Sequence, residues 1–217
     1  GMPLVSTFTS GGVSKNVIKC VVVRVTAADG AIGISSIDPS STAKSPHTGP
    51  ELALAIRDRI APALIGKDPG NVNRIVEIAA KLTPLQPGAV VAMELACIEL
   101  VCRRSSIALH DYVGGAIHDR LLFNGWVGEL PPDEAAAEAK RWKDAGFKSM
   151  KIKVGNNVGK DSARVMAVRD AVGKDIQLRM DANMQCTVDQ ALALCHAVKS
   201  CDMQLFEQPT PKDDLAG

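Results

Sequence analysis

Apolar residues follow a period of two early in the chain and a period near 3.6 soon after. Over residues 17–27 the run Val17-Ile18-Lys19-Cys20-Val21-Val22-Val23-Arg24-Val25-Thr26 is β-branched and alternating, which predicts a strand. Asp29-Gly30 supplies a turn, and a second short strand is predicted over 31–34, closing a hairpin. A loop rich in Ser, Thr and Pro spans 38–50. Residues 51–65 then place Leu52, Leu54, Ile56, Ile60, Ala63 and Leu64 at several three- and four-residue spacings, which predicts a helix ended by Gly66. Two more helices are predicted: 71–82, with Val72, Ile75, Ile78 and Ala79 on one face, and 89–102, with Met93, Ala96, Cys97 and Leu100. Strands followed by a run of helices predict an α+β domain over residues 1–116, with Gly114-Gly115 at its exit.

Residues 117–217 alternate strictly. Strands are predicted over 121–127, 149–154, 177–180 and 204–206, and helices over 132–145, 160–172 and 188–200. Short connections between them call for a parallel sheet with right-handed crossovers. A doubly wound sheet and a closed barrel both satisfy this α/β pattern. No GxGxxG or P-loop sequence follows any strand, so nothing supports a phosphate cradle.

Composition narrows the function classes. The 217 residues are 46% hydrophobic with a formal net charge of +1, enough for one or two domains with real cores. Lys and Arg are scattered among Asp and Glu, which argues against a nucleic-acid face. The longest apolar runs, 89–93 and 21–23, are too short to span a bilayer, and no signal peptide is visible. Gly1-Met2 reads as a scar ahead of the natural start. Cys20, Cys97, Cys102, Cys186, Cys195 and Cys201 form no CxxC pair, and His47, His110, His118 and His196 hold no zinc-like spacing with them. Reduced thiols in a cytoplasmic protein are expected.

The chemistry gathers at the ends of the strands, where loops of parallel α/β folds converge on one face. The second strand of this half carries Lys151-Ile152-Lys153, the third ends at Asp181-Ala182-Asn183, and the fourth at Glu207-Gln208-Pro209. Lys153, Asp181 and Glu207 follow one another at intervals of 28 and 26 residues, about one strand–helix unit each. Lys151 and Lys153 are two apart and share a face. Two ammonium groups in one pocket are expected to lower at least one lysine pKa, which suits a general base. Two carboxylates beside them offer the hard oxygens that suit Mg²⁺. Such a metal beside a lysine base fits removal of a proton α to a carboxylate through an enediolate. Taken singly, each residue reads as readily as a solvated lysine, a turn aspartate or a loop carboxylate. Together, at one-unit intervals, they point to a site. Cys186 and His196 read as a loop thiol and a helix-surface imidazole, and Trp126 as pocket lining or core.

At Met150-Lys151-Ile152-Lys153-Val154-Gly155, Met180-Asp181-Ala182-Asn183 and Phe206-Glu207-Gln208-Pro209 the chain resembles the enolase superfamily, in particular the mandelate racemase/muconate lactonizing group. The resemblance covers nearly the whole chain. It implies an N-terminal α+β capping domain followed by the first half of a (β/α) TIM-type barrel, residues 117–217. It implies Lys153 as base, Lys151 tuning it or binding the substrate carboxylate, and Asp181 and Glu207 as the first two Mg²⁺ ligands, with Asn183 nearby. A Gly-rich capping loop is expected at residues 7–16. The chain departs from the family at Gly33-Ile34-Ser35-Ser36, where an acidic residue is usual, and at Ala92-Met93-Glu94-Leu95-Ala96, where Asp is usual for Glu94.

A full barrel needs about eight units, on the order of 250 residues. The chain is therefore expected to be an N-terminal fragment, with a third metal ligand roughly 25 residues past Glu207. The implied parent is a Mg²⁺-dependent isomerase or lyase acting on a small carboxylate as a racemase, epimerase or cycloisomerase. The alternative is a catalytically incomplete fragment serving as a non-enzymatic binding or assembly module. Unpaired strand edges on a half barrel lead us to expect a homo-oligomer.

Overall fold

The structure, a computed structural model, describes residues 1–10, 13–39 and 47–217, without the side chains of 5–10 and 13. Residues 11–12 of the expected capping loop and 40–46 of the Ser/Thr/Pro loop lie outside the described residues. The chain divides into two compact units, one of residues 1–5 and 16–119, the other of 6–15 and 120–217.

Strands β1 (Met2–Ser10) and β2 (Val13–Ile18) form a two-stranded sheet that takes in the described part of the capping loop expected at residues 7–16. The strand expected over 17–27 is split. β2 ends at Ile18, and β3 (Val21–Thr26) pairs with β4 (Ile32–Ile37) in a separate sheet, so the chain must break at Lys19-Cys20 to change partners. β3 and β4 are antiparallel, from Val21 opposite Ile37 to Thr26 opposite Ile32. Their turn is closed by the Ala27 N–H on the Ala31 carbonyl at 2.9 Å, with Gly30 at φ 85°. Val21 and Val23 are buried while Val22 and Arg24 face outward, as period two requires.

Helix α1 (Gly49–Ala55) starts at a capping box, Thr48 with Glu51. A π-helical turn (Ile56–Ile60) leads into α2 (Ala61–Leu64). Pro62 lies just beyond that turn; it has no N–H and would crowd the carbonyl four residues back, and a widened turn relieves this. α3 (Val72–Leu82) is capped by Asn71, and α4 (Pro87–Ser105) packs across the β3–β4 sheet. The approach of α4 to β4 is so close that a Cβ on Gly33 would sit 2.0 Å from the Ala96 carbonyl oxygen. Ser35 Oγ donates to the Ala92 carbonyl, and the Ile34 N–H donates to Glu99. One short helix, α5 (Leu109–Tyr112), is too brief to leave a period in the sequence.

The second unit runs β5 (Gly125–Val127), α6 (Pro132–Asp144), β6 (Ser149–Lys153), α7 (Val158–Val172), β7 (Gln177–Asp181), α8 (Val188–Ala197), a 3₁₀ turn (Lys199–Cys201) and β8 (Met203–Glu207). All four strands are parallel, in the order β5-β6-β7-β8. A doubly wound sheet reverses its order at a switch point. This order never reverses, so the unit is the first half of a TIM-type barrel. Met150, Ile152, Leu178 and Met180 are buried in one core with residues of α6, α7 and α8, while Lys151, Lys153, Arg179 and Asp181 alternate onto the opposite face. The strand predicted over 121–127 shrinks to three residues. Gly125 pairs with Met150, so residues 121–123 lie past the start of β6 and have no partner there. Among the described residues no helix is long and apolar enough to cross a membrane.

Candidate active site

Strand register sets the site. Lys153, Asp181 and Glu207 stand side by side at the C-terminal ends of β6, β7 and β8. Lys151 lies one pleat earlier, beside Arg179. The four residues singled out by spacing are thus brought into one cluster. Lys153 Nζ donates to Asp181 Oδ2 at 2.6 Å and to Asn183 Oδ1 at 2.8 Å. Lys151 Nζ lies 2.9 Å from the same Asp181 oxygen and 2.8 Å from Glu207 Oε2. Lys153 and Asp181 are buried, at 7% and 1% exposure, whereas the Glu207 side chain is 41% exposed.

Backbone geometry fixes these groups. Asn183 sits at φ 47° just past β7, and its N–H donates to Asp181 Oδ1 at 2.9 Å. Asn tolerates this left-handed conformation better than most side chains. Gly155, at φ 117°, lets the loop after β6 pass against β7: a Cβ there would lie 2.9 Å from the Ala182 carbonyl oxygen.

Charge pairing governs the ionisable groups of the cluster. Burial raises the Asp181 carboxyl, but hydrogen bonds from Lys153, Lys151 and the Asn183 N–H outweigh it and hold the group below its ordinary 3.8. Burial lowers Lys151, but its hydrogen bonds to Glu207 and Asp181 outweigh that and hold it above 10.5. The Lys151 pKa is thus raised, where a neighbouring ammonium group alone would lower it. The reason is local: its nearest charges are carboxylates at under 3 Å, not the other ammonium group.

The donor set suits a hard cation in kind. One ammonium, that of Lys151, touches both Asp181 and Glu207, so a single cation can reach both carboxylates. Mg²⁺ takes few carboxylates and fills its shell with water or substrate. Among the described residues no group of three His, Cys, Asp or Glu is placed to hold a metal.

Two residues of the surroundings were not legible in the sequence. Arg164 and Asp161, in α7, form an ion pair at 2.6 Å with side chains 8% and 2% exposed. Their three-residue spacing on a helix was a signal, but burial against the end of β6 is a tertiary fact. Cys186 is a buried loop thiol, pushed up by its burial, and His196 is exposed on α8. The Trp126 carbonyl accepts from Trp142 Nε1 at 2.8 Å.

Comparison with known proteins agrees with this architecture. Residues 3–114 match the mandelate racemase / muconate lactonizing enzyme N-terminal domain, and residues 134–217 the enolase C-terminal domain-like family. The hydrophobic dipeptide epimerase of Enterococcus faecalis is 32% identical over 198 residues, 90% of this chain and 54% of that protein. The L-Ala-D/L-Glu epimerase of Bacillus subtilis is 29% identical over 219 residues, 100% of this chain and 59% of that protein. A crystal structure of the Enterococcus faecalis dipeptide epimerase, complexed with Mg and the dipeptide L-Leu-L-Tyr, superposes with a TM-score of 0.94 at 29% identity, covering 99% of this chain and 60% of that one. The chain spans a little over half the length of these relatives. With both domain families matched in order, and with the strand order of an enolase-type barrel, the chain belongs to the mandelate racemase/muconate lactonizing enzyme family of the enolase superfamily.

Proposed function

We propose that this chain is the capping domain and first half-barrel of a Mg²⁺-dependent isomerase that removes the proton α to a carboxylate and returns it with altered stereochemistry or connectivity. The observation that carries this reading is the row Lys153, Asp181, Glu207 across three adjacent strand ends. Lys153, as the neutral amine, takes the α-proton at Nζ and becomes the ammonium that Asp181 and Asn183 hold; it is the buried amine of the pair. Lys151, more exposed and between two carboxylates, binds the substrate carboxylate and balances the charge of the pocket. Asp181 and Glu207 would hold Mg²⁺, which when bound stabilises the negative charge that builds on the substrate carboxylate. Burial of Lys153 and Asp181 keeps water from competing for the proton. Relatives that are epimerases of dipeptides make L,L-dipeptides the first substrates to test.

The full-length protein would be incubated with Mg²⁺ and a panel of L,L-dipeptides in D₂O. Deuterium should enter the α-carbon, and the second diastereomer should accumulate for at least one member. Absence of exchange with every dipeptide of the panel, or exchange undiminished by a chelator, would overturn the reading. A second reading, a catalytically incomplete binding module, is favoured for these 217 residues alone by the lack of a third acidic ligand among the described residues.

A further inference from the structure

We propose that Asp161 and Arg164 form a clamp that positions Lys153, acting through its backbone; the proposal rests on Lys153 being the base. A lysine at the end of a strand holds its amine only as well as the last strand residue is held. Past Lys153 the β-ladder supplies one further bond, from the Val154 N–H to the Asp181 carbonyl at 3.1 Å. The clamp adds bonds at Lys153 itself and at the three residues after Val154. Arg164 Nη1 donates to the Lys153 carbonyl at 2.9 Å and to Asp161 Oδ1 at 2.6 Å, and Arg164 Nε donates to the Leu130 carbonyl at 2.6 Å. Asp161 Oδ2 accepts the next three backbone N–H groups, of Gly155, Asn156 and Asn157, at 2.9, 3.1 and 3.1 Å. One ion pair therefore fixes the backbone on the C-terminal side of Lys153 and ties it to the loop after β5.

Stability alone does not account for this pair. Buried ion pairs contribute little net stability, because desolvation offsets the attraction, and apolar replacements are often neutral. What an apolar pair could not do is meet the Lys153 carbonyl and the three N–H groups. The same helix carries its own control. Arg169 also caps carbonyls, those of Gly173, Ile176 and Cys201, but these precede β7 and β8 at the end of the sheet away from the site.

The test is acetylation of the native chain with N-hydroxysuccinimidyl acetate, read lysine by lysine by mass spectrometry. In Arg164→Met, and independently in Asp161→Asn should the first not fold, Lys153 should be modified about tenfold faster, as expected for a local opening. Lys151, inside the ladder, and the distant Lys143 and Lys174 should stay within about twofold. Arg169→Met should lower the melting temperature yet leave Lys153 unchanged. A uniform rise across all four lysines, or no rise at Lys153, overturns the clamp. In the full-length protein kcat for α-proton exchange should fall about tenfold in Arg164→Met, with KM kept within about twofold. Unchanged kcat there, where Lys153→Ala has abolished exchange, also overturns it. Exchange that survives Lys153→Ala while the acetylation pattern holds leaves the clamp standing and removes the base assignment instead.

Discussion

Asp181 is the residue on which the site turns. Its Oδ2 is shared by two lysines at 2.6 and 2.9 Å, and its carboxyl is 1% exposed. Asp181→Asn leaves a buried ammonium without its counter-charge, a loss of about 3–5 kcal/mol for a buried pair. Glu207→Gln, at an exposed carboxylate, should cost under about 1 kcal/mol. Urea unfolding in the absence of divalent cations measures both, and similar costs would mean that burial does not separate the two carboxylates. At this scale the sequence was informative about placement and silent about pairing. Spacing put Lys151, Lys153, Asp181 and Glu207 at one edge, because one strand–helix unit has a nearly fixed length. It could not show that a carboxylate oxygen falls between the two amines, nor that this pairing raises the Lys151 pKa.

Between elements, the contact of α4 with β4 is the tightest in the first unit. Gly33→Ala forces a methyl group against the Ala96 carbonyl and should cost about 1–3 kcal/mol, read as a lowered urea midpoint with an unchanged slope. The contact also has a pH dependence. Glu99 accepts the Ile34 N–H, which with Arg103 outweighs burial and holds its carboxyl below the ordinary 4.5. A lowered carboxyl stabilises the folded state fully above its unfolded pKa, and that stability is lost as pH falls through the lowered folded value. Glu99→Gln should therefore flatten the decline of stability below about pH 4.5, and an unchanged acid limb would show that the contact carries no proton linkage. Element boundaries were the least legible feature. Residues 121–123 have the apolar pattern of a strand, but register leaves them without a partner. Residues 17–27 have the pattern of one strand, but two sheets divide it.

For the whole molecule, the order of α+β unit and β/α half-barrel was readable from the switch between periods. The choice of barrel over doubly wound sheet came only from the resemblance at the strand-end motifs, since both folds share the alternating pattern and differ in strand order. The proposed metal site follows the same division: the carboxylates Asp181 and Glu207 are legible and stand side by side, and no third acidic ligand stands beside them among the described residues. The 217-residue chain should accordingly bind Mg²⁺ only weakly, on the order of millimolar or worse by calorimetry. Tight stoichiometric binding would contradict the two-carboxylate account.

The most direct test of the central claim, that Lys153 is the base, is solvent exchange at the substrate α-carbon catalysed by the full-length protein, comparing wild type with Lys153→Ala. Exchange into D₂O should be abolished in Lys153→Ala while the variant stays folded. Exchange at the wild-type rate would contradict the claim.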